Sequence, residues 1–345
     1  MKKFFALISA VLILAGAAPA LAKSPLTVFI WSEYMDPGVV KDFEKETGLK
    51  VRFDYYESNE EMIAKLQSGG VRQYDLIFPS AYFLTSLKSL KLIRPLDRRH
   101  LPNLANLDPA FADQADNPGY QFAVPYQWGT SGLAVRGGAD PQPPDTWGLL
   151  FQPQVSGFII FDTARDALGS ALKYLGYSLN STDPKEIQAA IDLLAAAKAR
   201  PTFFGFDGGV GGLNKVMSGL AAVAQVYSGE AIRAHEEDEA VRYILPREGF
   251  EVWLDLVAIP AEAPNPEAAY AFIDYMLRAE VGAQLATYNR YATPNAAARA
   301  FLPPEDLANP AMYPPPEVME RAEYMKDLGP DNRLYDEAWT LIKNK

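Results

Sequence analysis

Four consecutive residues near the start of the chain combine two aromatic rings with an acid: Trp31-Ser32-Glu33-Tyr34. They follow an apolar run at residues 26–30 that is typical of a buried strand. Aromatic faces and carboxylates both attract a cationic nitrogen. The segment therefore predicts contact with an organic cation, although a Trp and a Tyr at the end of a strand also fit ordinary packing.

A second candidate is Trp253-Leu254-Asp255, inside another apolar run. Side chains alternate along a strand, so Trp253 and Asp255 share one face and Leu254 faces the core. An acid in an apolar strand is costly to bury without a partner. We expect Asp255 to anchor an ammonium group. An exposed strand end and an ion pair with an Arg of the protein are the alternatives.

Further acids and rings lie at junctions between predicted elements. Asp166 falls in the first turn of a predicted helix, and Glu230 follows Tyr227 at the end of a predicted strand. Tyr291 lies in a loop before a Pro turn. Taken singly, a first-turn acid is explained by the helix dipole, and a loop Tyr by packing. Taken with the two acids above, they would suit a dication or a trication.

The elements that position these residues alternate between strand and helix. Such alternation predicts a parallel sheet with right-handed crossovers. The carboxyl ends of parallel strands share one edge, where ligands of open α/β domains bind, so residues 31–34 and Ser80-Ala81-Tyr82 should face one crevice. We interpret Gly208–Gly212 as a flexible turn. The predicted strands are residues 26–31, 49–55, 74–79, 158–161, 221–227 and 252–259, and the main predicted helices are 37–47, 82–90, 164–175, 184–199, 266–278 and 279–287.

The first 22 of the 345 residues predict a signal peptide. Lys2-Lys3 precede an apolar stretch, and Ala20-Leu21-Ala22 matches a cleavage site. We expect cleavage after Ala22 and export to the periplasm. A membrane anchor is the alternative, but the apolar stretch is short. The remaining length exceeds what one compact core usually covers, so we expect two domains.

Composition excludes several classes of function. Without Lys2 and Lys3, 30 basic side chains face 43 acidic ones, a net charge of −13, which disfavours nucleic acids and anionic membranes. Cys is absent and His occurs twice, so thiol chemistry, zinc sites and Ser-His-Asp triads have little basis. We expect no enzyme, no cofactor and no metal. A secreted glycoside hydrolase with a carboxylate pair is the alternative.

Segments throughout the mature chain carry a family resemblance. They include Trp31-Ser32-Glu33-Tyr34, Lys45-Glu46-Thr47-Gly48, Tyr56-Glu57-Ser58-Asn59-Glu60, Tyr74-Asp75-Leu76-Ile77, Pro79-Ser80, Leu107-Asp108-Pro109, Pro125-Tyr126-Gln127-Trp128, Leu175-Gly176-Tyr177, Ser181-Thr182-Asp183-Pro184, Ala258-Ile259-Pro260 and Thr293-Pro294-Asn295. With these segments the chain resembles the spermidine/putrescine-binding periplasmic proteins of ABC importers.

The resemblance implies an α/β, two-lobed periplasmic-binding-protein fold. Each lobe would be a mixed or mostly parallel sheet flanked by helices, with the ligand in the interlobe cleft. Lobe 1 would hold residues 25–129 plus 257–294, and lobe 2 residues 130–256 plus 295–345. The expected partners are a small-molecule polyamine and an ABC permease in the membrane, with no nucleic acid, and the protein is expected to be a monomer.

The resemblance also implies a binding site. It would comprise Trp31, Ser32, Glu33, Tyr34, Ser80, Tyr82, Asp166, Tyr227, Glu230, Trp253, Asp255 and Tyr291. Tyr227 stands where the family usually has Trp, and Thr163 and Met325 stand where spermidine-preferring members carry an acid and a Gln. Glu230 matches an acid of putrescine-preferring members. These differences slightly favour putrescine or mixed specificity. Another organic cation, an amino acid or a ligand-sensing role is the alternative.

Overall fold

The computed structural model describes residues 24–112, 117–137, 143–153 and 157–344, so the predicted signal peptide lies outside the described residues. The strands are β1 (Leu26–Trp31), β2 (Val51–Tyr56), β3 (Leu76–Ile77), β4 (Ala123–Arg136), β5 (Phe158–Phe161), β6 (Phe203–Asp207), β7 (Val223–Tyr227), β8 (Val241–Ile244), β9 (Phe250–Ala258) and β10 (Ala322–Tyr324). The helices are α1 (Pro37–Thr47), α2 (Asn59–Gln67), α3 (Leu84–Ser89), α4 (Gly148–Phe151), α5 (Ala164–Tyr174), α6 (Pro184–Lys198), α7 (Gly209–Met217), α8 (Ser228–Glu237), α9 (Pro266–Met276), α10 (Ala279–Asn289), α11 (Pro304–Leu307), α12 (Pro316–Met319) and α13 (Asn332–Asn344).

The strands form one continuous sheet in the order β2-β1-β3-β9-β4-β7-β5-β6, with β10 beside β9 and β8 beside β4. At one end β2, β1 and β3 are parallel, and at the other end β7, β5 and β6 are parallel. Between them β9 and β4 run antiparallel, from Ala123 opposite Ala258 to Ser131 opposite Glu251. This antiparallel pair therefore connects two parallel half-sheets.

Local sequence signals explain why several helices begin and end where they do. Asp36 caps α1 by accepting a hydrogen bond from the Gly38 backbone N–H at 2.7 Å. Pro37 takes the first helical position, where its missing N–H costs nothing. Gly48 ends α1 with a φ of 71°, a left-handed conformation that glycine adopts without strain. The predicted bounds of α1 are confirmed, as are those of β5.

Three local predictions differ from the structure. Gly208–Gly212 is not a flexible turn, because α7 begins at Gly209 and includes the other glycines. The strand predicted at residues 74–79 is paired only over Leu76–Ile77. The helix predicted at 82–90 divides into a 3₁₀ turn at Ala81–Phe83 and α3. Finally β4, the longest strand described, was not predicted, because its polar and glycine residues obscure the apolar pattern.

Each half-sheet has its own hydrophobic core. In the first lobe, buried residues of β1, such as Val28, pack with Phe43 of α1 and Phe272 of α9. In the second lobe, Phe158 of β5 packs with Leu168 of α5 and helices α6 and α13. Smaller clusters lie on the opposite faces of the two half-sheets. Helices therefore cover both faces of each half, as the predicted α/β two-lobed fold requires.

Among the described residues, none of the helices combines the length and the apolar composition needed to cross a lipid bilayer.

Candidate ligand-binding site

Asp255 of β9 is held by two hydroxyl groups of the first lobe. Tyr34 Oη donates to Asp255 Oδ2 at 2.9 Å, and Ser80 Oγ donates to Oδ1 at 2.7 Å. Asn59 fixes Ser80 in turn, because its Oδ1 accepts from the Ser80 backbone N–H at 3.0 Å. Asp255 is only 7% exposed. The strand-end alternative is therefore wrong for Asp255, whose carboxylate is buried and oriented by hydroxyls.

Four aromatic rings form a connected series that begins at Tyr34, the hydroxyl partner of Asp255. Trp253 meets Tyr291 edge to face, with ring centroids 4.7 Å apart. Tyr34 and Tyr227 extend the group on either side. The ring centroid of Tyr34 is 6.0 Å from that of Tyr291, and the ring centroid of Tyr227 is 6.0 Å from that of Trp253. Edge-to-face pairs of this kind are favourable contacts. The rings form a continuous aromatic surface that includes residues of both lobes.

Two glycines make room for these rings. Gly129 of β4 lies opposite Trp253 in the ladder, and a Cβ at Gly129 would overlap the indole Cζ2. Gly229, at the start of α8, similarly faces the ring of Tyr291, which a Cβ would overlap. The absence of a side chain at both positions thus permits close ring-to-backbone contact.

Asp166 enters the site from the first turn of α5. Its carboxylate accepts hydrogen bonds from Thr163 Oγ1 and, at 3.5 Å, from Tyr227 Oη. Asp166 is 8% exposed. Tyr82 of the first lobe lies near it, since the Asp166 charge adds to burial in raising the pKa of the Tyr82 phenol. Asp166 therefore faces rings from both lobes.

Glu230 lies in the first turn of α8, immediately after β7. Its carboxylate accepts from the Tyr227 backbone N–H at 3.5 Å and rests against Gly209 at the start of α7. Glu33 of the first lobe is exposed but close enough for its charge to raise the pKa of Glu230. Glu33 also adopts a left-handed backbone, with a φ of 56°. These two acids therefore approach one another from opposite lobes.

Glu251 was missed by the sequence analysis. It lies on β9 two residues before Trp253, so it shares the face of Trp253 and Asp255. Ser131 of β4 donates to Glu251 Oε2 at 2.9 Å, and the side chain is 8% exposed. The two-residue period that linked Trp253 to Asp255 would have identified it. We name the assembled residues the aromatic–acid cluster: Tyr34, Ser80, Asp166, Tyr227, Glu230, Glu251, Trp253, Asp255 and Tyr291.

Burial raises the pKa of every acid in the aromatic–acid cluster. It raises the pKa of Asp255 to about 6, against the hydrogen bonds from Ser80 and Tyr34. It raises the pKa of Glu230 to about 7, and Glu33 adds to the effect. The pKa of Glu251 rises through burial and then through the negative charge of Asp166, whose own pKa is raised by burial. A bound cation would reverse these shifts.

The remaining predicted site residues lie at the edge of this arrangement. Trp31 is half-buried and packs on Tyr56, with ring centroids 4.6 Å apart. Ser32 is exposed and donates to Glu57 Oε1 at 2.9 Å, so its hydroxyl is directed to a neighbouring acid rather than to the aromatic–acid cluster. The structure thus brings most of the predicted residues together and leaves Ser32 outside.

The composition of the cluster suits an organic cation better than a metal ion. Among the described residues, no group of three His, Cys, Asp or Glu side chains converges to hold a metal. The four buried acids lie among aromatic rings instead, and such rings attract organic ammonium groups. Within the same residues, none of these four acids forms an ion pair with a Lys, Arg or His.

Residues 38–314 match the family model described as bacterial extracellular solute-binding protein. The chain belongs to this family. Solute-binding proteins are not enzymes, which confirms the expectation of a non-catalytic role. The two-lobed α/β fold is confirmed as well. A solved structure of the spermidine/putrescine ABC transporter substrate-binding protein PotD from Streptococcus pneumoniae matches with a TM-score of 0.80 and 33% identity, over 93% of this chain and 98% of that one.

Two curated relatives of this solute-binding protein match along almost their whole length. The spermidine/putrescine-binding periplasmic protein of Escherichia coli is 36% identical over 330 residues, which are 95% of this chain and 94% of the relative. The putrescine-binding periplasmic protein SpuD of Pseudomonas aeruginosa is 33% identical over 351 residues, 96% of this chain and 95% of the relative. The resemblance seen in the sequence is thereby confirmed.

Proposed function

We propose that this chain is a periplasmic solute-binding protein that binds a polyamine between its two lobes and delivers it to an ABC permease. The observation that carries the proposal is the set of four buried acids that lie among aromatic rings. The names of the curated relatives, which refer to spermidine and putrescine, support the same ligand class. The excess of acidic over basic side chains, 43 against 32, fits a cationic ligand.

The mechanism we propose is capture by lobe closure. Lobe 1 would comprise residues 25–129 plus 257–294, and lobe 2 residues 130–256 plus 295–345. Tyr34 and Ser80 act from the first lobe, whereas Asp166 and Glu230 act from the second. A ligand that contacts both walls stabilises the closed form, which a permease can then recognise.

Each part of the aromatic–acid cluster has a distinct role in this mechanism. Asp255, oriented by two hydroxyls, binds one ammonium group through charge-assisted hydrogen bonds, typically worth about 1.5–3 kcal/mol each. The rings of Trp253, Tyr227 and Tyr291 contact the methylene chain and the ammonium groups, each cation–π contact adding about 0.5–2 kcal/mol. The aromatic surface excludes water and so strengthens the electrostatic contacts.

A ligand panel tests the proposal. Residues 23–345 are purified without ligand and titrated calorimetrically with putrescine, spermidine, betaine, arginine and 4-aminobutyrate at pH 7.5. We expect binding of a polyamine and no comparable binding of the other three compounds. Tighter binding of arginine, betaine or 4-aminobutyrate would refute the polyamine proposal and indicate one of the alternative ligand classes.

A further inference from the structure

Glu251 and Asp255 occupy one face of β9 with Trp253 between them. Strand residues rise about 3.3 Å each, so the Cα atoms of these two acids, four residues apart, are separated by about 13 Å. Both side chains are nearly buried, with 8% and 7% exposure. The face of β9 therefore presents two carboxylates at a fixed spacing, with an indole between them.

Glu251 lies beside Asp166 in the second lobe. The two carboxylates approach closely enough that the charge of Asp166, after burial, raises the pKa of Glu251. Tyr82 and Tyr227 face both acids, because the charges of Asp166 and Glu251 add to burial in raising both phenol pKa values. The two acids thus lie near two aromatic rings, one from each lobe.

Neither acid of this pair forms an ion pair with a basic side chain among the residues that the structure describes. The charge of Arg165 opposes the rise in the pKa of both acids, but its Nη atoms are bonded to Lys326 O, Asn180 Oδ1 and Asn332 Oδ1. Its guanidinium also stacks on the Tyr335 ring, 4.7 Å from the centroid. Adjacent buried carboxylates repel each other unless a proton or a cation lies between them.

The neighbouring indole adds an independent observation. The Nε1–H of Trp253 is buried and has no acceptor among the described residues. Buried polar groups normally have partners, and exceptions require an explanation. The face of β9 between the two acids is therefore incompletely matched by protein groups.

We infer that Glu251 and Asp166 together bind one charged end of an extended polyamine whose other end is bound by Asp255, and that this pair makes the site select a triamine over a diamine. The inference rests on the proposed function. At ordinary bond lengths an extended four-carbon diamine spans roughly 6 Å between its nitrogens, and spermidine spans roughly 11 Å between its terminal nitrogens. Of the two spans, that of the triamine is the closer to the separation of about 13 Å between the Cα atoms of Glu251 and Asp255.

The test compares putrescine with spermidine in calorimetric titrations at pH 7.5. The variants are Glu251→Gln, Asp255→Asn and the control Glu237→Gln, which removes an exposed acid of the same lobe. We expect Glu251→Gln to weaken the affinity for spermidine at least about tenfold, since one charged hydrogen-bond partner is lost. The affinity for putrescine should change less than about threefold. Glu237→Gln should bind both ligands as the wild type does.

The outcomes separate this inference from the proposed function. If the wild type binds neither polyamine, the proposed function fails and this inference fails with it. If the wild type binds spermidine, Asp255→Asn does not, and Glu251→Gln retains wild-type affinity, only the inference fails. Equal weakening of both polyamines in Glu251→Gln would also overturn the selectivity.

A second measurement does not depend on affinity. Titrations in two buffers of different ionisation enthalpy count the protons released when spermidine binds. Wild type should release more protons than Glu251→Gln, because the ligand displaces a proton held by the acid pair. The melting temperature of Glu251→Gln, expected to equal or exceed that of the wild type, verifies that the variant is folded. Identical proton counts would contradict the role of Glu251.

Discussion

At the scale of single residues, the site depends on buried acids that form no ion pair within the part of the chain that the structure describes. Asp255 illustrates the arrangement, because its carboxylate has two hydroxyl donors and a raised pKa of about 6. Hydroxyl groups orient a carboxylate without neutralising it. Its charge therefore remains available to a ligand, at a cost in the stability of the ligand-free protein.

Replacing Asp255 tests this role directly. We expect Asp255→Asn to weaken polyamine binding at least about a hundredfold, because one partner of a buried charge pair is removed. The amide keeps the shape of the side chain, so the variant should fold. The measurement is calorimetric titration, with Asp42→Asn, an exposed acid of α1, as the matched control. Near-normal affinity in Asp255→Asn would exclude the anchor role.

The raised pKa values predict a pH dependence of binding. Asp255 and Glu230, with pKa values of about 6 and about 7, must lose their protons to bind ammonium groups. At pH 5 roughly a tenth of a group with a pKa of about 6 is ionised. Polyamine affinity should therefore fall at least about tenfold between pH 7.5 and pH 5 in titrations at constant ionic strength. A constant affinity over this range would show that neither acid titrates in the free protein.

At the scale of elements, the ladder between β4 and β9 positions the centre of the site. Its register places Ser131 opposite Glu251 and Gly129 opposite Trp253. The hydroxyl of Ser131 orients Glu251, and the missing side chain of Gly129 admits the indole. Because the side-chain period of a strand is two, a shift of one residue would turn all these groups to the other face.

The contact between β4 and the indole predicts the effect of Gly129→Ala. The added Cβ would overlap Trp253 and force the ring to move, which we expect to destabilise the protein by about 1–3 kcal/mol. Polyamine affinity should fall as well, since the indole lies between the acids of β9. The control is Gly169→Ala in α5, where a Cβ meets only ordinary contact. Chemical denaturation and calorimetry measure the two effects, and unchanged binding in folded Gly129→Ala would contradict this role of Trp253.

At the scale of the whole molecule, the aromatic–acid cluster links the two lobes. Tyr34 and Ser80 belong to the first lobe, and Asp166 and Glu230 to the second. Glu33 of the first lobe and Glu230 of the second repel one another, since the charge of Glu33 adds to burial in raising the pKa of Glu230. Ligand binding should therefore stabilise the folded protein through both lobes at once.

The acids also predict how stability depends on pH. A carboxyl group whose folded pKa lies above its unfolded value binds protons more strongly in the folded state, so the folded protein loses stability as pH rises. For Asp255 and Glu230 this window extends from about pH 4 to about pH 7. In the ligand-free protein, we expect the contribution of these two groups to the melting temperature to fall as pH rises across this window. Saturating spermidine should reduce the loss.

Differential scanning calorimetry of the wild type and Asp255→Asn isolates this contribution, because other acids contribute equally to both proteins. The variant should lose less stability between pH 4 and pH 7 than the wild type. Parallel curves would show that Asp255 has the same pKa in the folded and unfolded states.

Much of the secondary structure followed from local signals in the sequence. Asp36, Pro37 and Gly48 fix α1 through capping and backbone preferences that act within a few residues. The alternation of strand and helix likewise predicted the parallel half-sheets, and the family resemblance supplied the two-lobed fold. In contrast, β4 contains polar residues and glycines whose partners lie far along the chain, so no local pattern revealed it.

The chemistry of the site was also partly evident in the sequence, since the types and spacing of Trp253 and Asp255 already indicated one face for a cation. Only the tertiary structure decided which acids meet. Asp166 and Glu251 are 85 positions apart, and their proximity depends on the order of β9, β4 and β7 in the sheet. Burial, and with it the raised pKa values, arises only when distant elements exclude water together.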